Sequence, residues 1–240
     1  MSLDQLIQNP DTDMNIGLVL LSDDWQVVGM NEHMRRIAGP AMGPMGQDLF
    51  LFHSPKSRVK VRGILLELSA PRNGMPNTMI IDFLGKVVML SVSRLTLMSP
   101  DSTIAWAVTF LDMSEQTGAA MNPQSGHLEL KKIPIYENGV FHFLSADQVY
   151  CIEADGNYCR IYTTLKKFYL LMSLKTVLQR FAQLGLFQVH KSFIVNLAHI
   201  RTIEQSSENR LTISFDDPDI PAVPVSRRLV PALKKRISSL

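Results

Sequence analysis

Apolar and polar positions change their period several times along the chain, and each change marks an element. Residues 16–21 read Ile-Gly-Leu-Val-Leu-Leu, a short apolar run that fits a strand. Ser22-Asp23-Asp24 is a turn, and residues 25–28 form the returning strand. Asn31 stands where an N-cap opens a short helix through Ile37, closed by Gly39-Pro40. Ser54-Pro55 opens a second helix, with serine as cap and proline at the first helical position. That helix runs to about Leu68, with Val59, Gly63, Leu65 and Leu66 on its apolar side. Strands follow at residues 79–83, 87–97 and 103–111, the first two joined by a turn at Leu84-Gly85-Lys86.

The second half is richer in strands. Residues 131–136, 140–143, 149–153, 158–163 and 168–171 all fit short strands. Ser173 caps an amphipathic helix that turns Leu174, Val177, Leu178, Phe181 and Leu184 inward. Further strands are predicted at 187–190, 193–195, 211–215 and 223–225. Ser226 caps a final helix through Ile237, with Leu229, Leu233 and Ile237 at four-residue intervals.

Between the halves lies Ser114-Glu115-Gln116-Thr117-Gly118-Ala119-Ala120-Met121-Asn122-Pro123, small, polar and without apolar period. We expect one domain over 1–114, a linker over 115–129 and a second domain over 130–240. Eleven of the 13 methionines precede residue 120, which supports the division. The net charge of +2 also divides: residues 1–120 carry −3 and residues 121–240 carry +5. A basic half suits a polyanion. No run approaches the ~18–20 apolar residues of a membrane span. The acidic opening Met1-Ser2-Leu3-Asp4-Gln5 is not a secretory signal, so a cytoplasmic chain is expected. Two cysteines, Cys151 and Cys159, make no disulfide framework, although a strand–turn–strand around Asp155-Gly156 can set them face to face.

Three motifs in the basic half break at polar or basic turns, where side chains can leave a sheet. They are Ile152-Glu153-Ala154-Asp155-Gly156-Asn157-Tyr158, Gln188-Val189-His190-Lys191-Ser192-Phe193-Ile194-Val195-Asn196 and Val223-Pro224-Val225-Ser226-Arg227. In this order and spacing, residues 130–240 resemble the LytTR DNA-binding domain of bacterial response regulators. The resemblance implies a mostly β domain that binds DNA through loops. It also implies contacts from Asn157 to Arg160, from Lys191 and from Arg227, so the expected DNA-binding set is Asn157, Cys159, Lys191, Arg227 and Arg228. Lysine and arginine side chains can reach guanine O6 and N7 or a phosphate. Lys166, Lys167 and Lys234 are candidates for phosphate contacts, against the plainer readings of a solvated turn and a helix C-terminus.

Residues 15–114, with two strands, short helices, a longer helix and three strands, resemble a PAS domain. The fold class expected is therefore α+β, an N-terminal PAS domain joined to a C-terminal LytTR domain. PAS followed by LytTR is the layout of the RcoM-type regulators, which bind haem and respond to carbon monoxide. Leu51-Phe52-His53-Ser54-Pro55 resembles their segment bearing the haem-ligating histidine, here His53. Met79-Ile80-Ile81 resembles the segment bearing the methionine on the opposite haem face, here Met79. Gly74-Met75-Pro76 stands where those regulators carry a cysteine, and this chain has no cysteine before residue 151. The ferric state is then left to Met79, Met75, water or hydroxide.

The chemistry is coherent on its own terms. Haem iron accepts imidazole on one side and thioether on the other. The helix N-terminus after His53 disfavours imidazolium, and neutral imidazole is the ligating form. Against this, a histidine before a helix is ordinarily a polar loop residue, and methionine enrichment ordinarily serves packing. His33 is the other histidine before the linker and the rival ligand. The resulting expectation is a haem b (iron protoporphyrin IX) regulator, sensing CO or another diatomic gas, homodimeric and bound to repeated promoter sites. The alternative is a PAS–LytTR regulator that senses a non-haem small ligand or a partner protein. No paired carboxylates, nucleophile–base spacing or phosphate loop point to an enzyme, although an oxygen-activating haem enzyme is the reading that turnover would revive.

Overall fold

The computed structural model describes residues 16–38, 46–69, 78–83, 85–95, 105–137, 140–205 and 210–238. The chain divides into two compact units, with the boundary between Met113 and Ser114. Both mix strands and helices, so the fold class is α+β.

The first unit is built on five strands: β1 (Ile16–Leu21), β2 (Val27–Met30), β3 (Thr78–Phe83), β4 (Lys86–Arg94) and β5 (Trp106–Asp112). They form one sheet in the order β2-β1-β5-β4-β3. Between β2 and β3 lie α1 (Glu32–Ala38), a 3-10 turn (Leu49–Phe52) and α2 (Pro55–Ser69). Asn31 joins sheet to helix. Its Oδ1 accepts from the N–H of Leu18 and of Met34, each at 3.0 Å, and its Nδ2 donates to the Ile16 carbonyl at 2.8 Å. The cap expected at this position is thus also a clamp across β1. Gly17 lets α1 approach closely, because a Cβ there would stand 2.9 Å from Met34 Sδ and 3.2 Å from Phe110 Cβ. The core beneath includes Val19, Leu21, Val92 and Val108, with Trp25 stacked on Trp106 at 5.4 Å between centroids.

The long helix α2 begins at Ser54-Pro55 as expected, but of the apolar side expected for it only Leu65 is buried. Leu65 and Leu68 are buried, while Val59 is 82% and Leu66 51% exposed. The segment Val-Lys-Val-Arg-Gly-Ile-Leu-Leu carries apolar residues on two sides, so its period admits two stripes. The one containing Leu65 and Leu68 packs.

The second unit begins with α3 (Ser114–Thr117), followed by strands β6 (Ala120–Met121), β7 (Leu128–Glu129), β8 (Ile133–Glu137) and β9 (Val140–Leu144). Next come β10 (Val149–Asp155), β11 (Tyr158–Thr163), β12 (Lys167–Leu170), α4 (Leu174–Arg180), β13 (Leu186–His190) and β14 (Phe193–Asn196). The chain ends with β15 (Ile200–Gln205), β16 (Leu211–Phe215), β17 (Val223–Val225), a 3-10 turn (Arg227–Leu229) and α5 (Val230–Ile237). The main sheet runs β12-β11-β10-β14-β13, and β15-β16-β17 form a second.

Strand alternation sorts the core of this unit. Cross-strand neighbours Ile152, Ile161, Phe168 and Ile194 share one face and are fully buried. Cys151, Tyr162 and Val195 share the other, where they join Ile213, Phe215, Val223 and Leu233. Ser173 caps α4, accepting from the Thr176 N–H at 3.2 Å. The final helix departs from expectation: Ser226 makes no side-chain cap bond, and Leu233 alone of the apolar trio is buried. Strand β15 lies outside the expected set, since its residues are mostly exposed and offer little apolar alternation.

Residues 115–129, expected as a linker, carry α3 and the β6–β7 hairpin. The polar stretch is a folded turn. Asn122 Oδ1 accepts from the N–H of Gln124 and Ser125, and Gly126 takes the left-handed backbone (φ 67°). The buried Glu129 carboxylate accepts from Asn122 Nδ2 at 2.6 Å and Gln183 Nε2 at 2.7 Å. A composition that reads as linker is equally that of a hairpin whose polar groups bond one another.

Candidate nucleic-acid interface and sensor site

Three turns of the second unit converge. Strand β10 ends at Asp155 and turns through Gly156, in the left-handed conformation (φ 63°), and Asn157 into β11. Strand β13 turns through Lys191 and Ser192 into β14. Glu153 pairs with Phe193, and the Ala154 N–H donates to the Ser192 carbonyl at 2.9 Å, so these turns lie side by side at one end of the main sheet. The Ser226 N–H donates to the Val189 carbonyl at 2.8 Å. That bond brings the 3-10 turn bearing Arg227 and Arg228 to the same end. Asn157, Lys191, Arg227 and Arg228 are all exposed there.

The turns are held from below. His190 Nδ1 accepts from the Ser192 N–H at 3.2 Å, and Gln188 Nε2 donates to the His190 carbonyl at 3.2 Å. Asn196, the last residue of its motif, is a structural clamp. Its Nδ2 donates to the Ala146 carbonyl and its Oδ1 accepts from the Ala198 N–H.

Cys159 does not belong to this surface. It is fully buried, and its Sγ lies 3.0 Å from the Met172 carbonyl as a donor. Burial pushes its thiol up to about 12. The physical reason is register: Cys159 pairs with Ala154 and Leu170 and points into the core, whereas the turn residue Asn157 does not. Cys151 pairs with Tyr162 and Val195, so the two cysteines are not opposite one another and both are free thiols.

Lys166 and Lys167 are at the far end of β11 and β12 from Asn157. Lys166 pairs with Glu137 and sits 4.9 Å over the Phe168 ring, and Lys167 lies 5.4 Å over the Tyr162 ring. At the near end, β12 leads through Met172 to α4, with exposed Lys175 in its first turn. Lys175 was not among the expected contacts. Its signal was a cation placed against the helix dipole.

Arg160, within the expected contact range, points along the sheet instead. Its NH1 donates to Glu153 Oε2 at 3.1 Å, its NH2 to Asp155 Oδ2 at 2.6 Å and its Nε to Tyr169 Oη at 3.1 Å. The Tyr162 hydroxyl donates to the same Glu153 oxygen at 2.8 Å. Burial is the chief cause that raises the Tyr162 phenol, which therefore stays a donor.

In the first unit, His53 follows the 3-10 turn. Its N–H donates to the Phe50 carbonyl at 3.1 Å, and its own carbonyl accepts from Arg58 Nε at 3.1 Å. The ring is half-buried, and burial lowers its pKa below the usual imidazole range. Met79 is half-buried on β3, an edge of the sheet, between the buried Thr78 and Ile80. Met75 lies outside the described residues. His33 sits on α1, half-buried. Among the described residues no group of three or more His, Cys, Asp or Glu could hold a metal ion, and no helix is long and apolar enough to cross a membrane.

Residues 139–238 match the family described as the LytTr DNA-binding domain. A CO-responsive transcriptional regulator, RcoM, from Rhodospirillum rubrum is 26% identical over 223 residues, covering 91% of this chain and 92% of that protein. A LytTr DNA-binding domain of a putative methyl-accepting/DNA response regulator from Bacillus cereus is 20% identical, covers 45% of this chain and 96% of that one, and superposes with a TM-score of 0.38. The sensor region of a sensor histidine kinase is 19% identical, covers 42% of this chain and 40% of that one, with a TM-score of 0.30. Residues 139–238 thus match the LytTr DNA-binding domain family, and the chain is similar along nearly its whole length to a CO-responsive transcriptional regulator.

Proposed function

We propose that the chain is a cytoplasmic, haem-dependent, one-component transcription regulator that senses a diatomic gas, with CO the favoured signal, and is not an enzyme. In this reading residues 1–114 are a PAS sensor, and the folded segment 115–129 leads into the DNA-binding part, 130–240. The group would be held by His53 and Met79, with Met75 a further candidate, and would supply the iron at which the gas binds.

The observation that carries the sensing half is His53 itself, half-buried and with its pKa lowered by burial. A neutral imidazole is the form able to ligate. Met79 offers a soft thioether from an edge strand, which has one hydrogen-bonded neighbour and so can shift without breaking into the sheet. The apolar Phe50, Leu65 and Leu68 suit the surroundings of a porphyrin. Whatever ligand acts, it moves the balance between two states only by its difference in affinity for them. The similarity to a CO-responsive regulator across both halves supports CO as that ligand.

On the DNA side, Asn157, Lys191, Arg227 and Arg228 form the contact set, with Lys175 added. A homodimer would bring two such sheet ends to repeated promoter sites and tighten binding without new contacts.

One absorption spectrum of the reduced full chain, with and without CO, tests the sensing half. A Soret band that shifts on CO is the expected result. A colourless protein that takes up no added haemin would overturn it and leave a DNA-binding regulator with another trigger.

A further inference from the structure

The end of the sheet that presents Lys191 and Arg227 also carries two carboxylates. Glu153 and Asp155 are the last residues of β10 on one face, immediately before the turn bearing Asn157. Their side chains are 26% and 35% exposed, so both are reached by water and by the field of a nearby polyanion. A carboxylate beside a phosphate repels it, and two at the root of a contact turn oppose what the turn does.

Arg160 answers both. Its cross-strand partners are Glu153 on one side and Tyr169 on the other. One guanidinium nitrogen goes to each carboxylate, and the third goes to the Tyr169 hydroxyl. The planar fork lies 5.5 Å over the Tyr169 ring, which fixes its plane. With its nitrogens so engaged, the cation is spent on neighbours and ties β10, β11 and β12 together below the turn.

We propose that Arg160 is a positioning residue of the DNA interface: it does not touch DNA, but offsets part of the negative charge of Glu153 and Asp155 and holds the root of the Asn157 turn. This rests on the reading that this end of the sheet faces DNA. It assigns to a conspicuous basic residue a role different from the groove contact expected of it.

The test uses the full chain and two probes: duplexes selected by the wild-type chain from a random library, and a random-sequence duplex. Arg160→Gln leaves both carboxylates without their shared counter-charge, and affinity for both probes is expected to fall about tenfold. The triple variant Glu153→Gln, Asp155→Asn, Arg160→Gln has no charge left to cancel, and is expected to return to within about threefold of wild type. A merely structural arginine would not be rescued by removing its partners. Undiminished binding by Arg160→Gln overturns the proposal, as does a triple variant that stays weak, the signature of an arginine that contacts DNA itself. Should Arg160→Gln fail to fold, the triple variant alone carries the test by the same criterion. Lys191→Ala is the control. Equal binding by that variant would mean that this end does not face DNA, and the proposal would fall with the reading beneath it.

Discussion

Which side of a strand a residue occupies decides what it can do, and Cys159 is the case in point. Motif position puts it among DNA contacts, yet two residues past Asn157 the alternation turns it into the core. Burial pushes the Cys151 and Cys159 thiols to about 12, with the Glu153 charge a lesser cause at Cys151. Thiolate is the reactive form, so a raised pKa means an inert group. Iodoacetamide at pH 8 should leave both unmodified in the folded chain and label both in denaturant, as mass spectrometry would read. Rapid labelling of the folded protein would contradict their burial. The tip residues Asn157, Lys191 and Arg227 were legible in sequence because turns advertise themselves by composition. The pairing of Cys159 was not, since register depends on partners far along the chain.

At the scale of elements, starts were easier to read than faces. Asn31, Ser54-Pro55 and Ser173 each open a helix where expected, because capping is a local hydrogen-bond requirement. The buried side of α2 was not legible. Its sequence offers two apolar stripes, and tertiary burial took Leu65 and Leu68 rather than Val59 and Leu66. Gly63 shares the exposed side, where an added Cβ would meet nothing within 4 Å. Gly63→Ala should therefore raise stability by about 0.5–1 kcal/mol, the ordinary gain from removing a mid-helix glycine. Urea denaturation of the full chain measures it. A loss of stability would show that something covers this face. The secondary structure of 115–129 was hidden for the converse reason: Asn122, Gly126 and Glu129 satisfy one another inside a hairpin.

For the whole molecule, the division into two units separates two kinds of failure. Lys191→Ala and Arg227→Ala should each weaken binding to a selected duplex by about 1–3 kcal/mol where a base is contacted, and lower the salt slope by about one where a phosphate is. Neither should alter the absorption spectrum of the reduced chain. His53→Ala should do the reverse, abolishing haem uptake while leaving basal DNA binding measurable. Titration of each variant by fluorescence anisotropy, beside its spectrum, checks both halves. A DNA-tip variant that bleaches the chromophore would contradict the division.

The turns at Asn157 and Lys191 are each two residues long and rooted in strands whose buried faces are already complete without them. Changing Lys191 or Asn157 therefore removes nothing from the hydrophobic interior. Under the proposed function, such an architecture lets a lineage acquire a new operator by editing a few exposed letters, while the scaffold beneath is inherited unchanged.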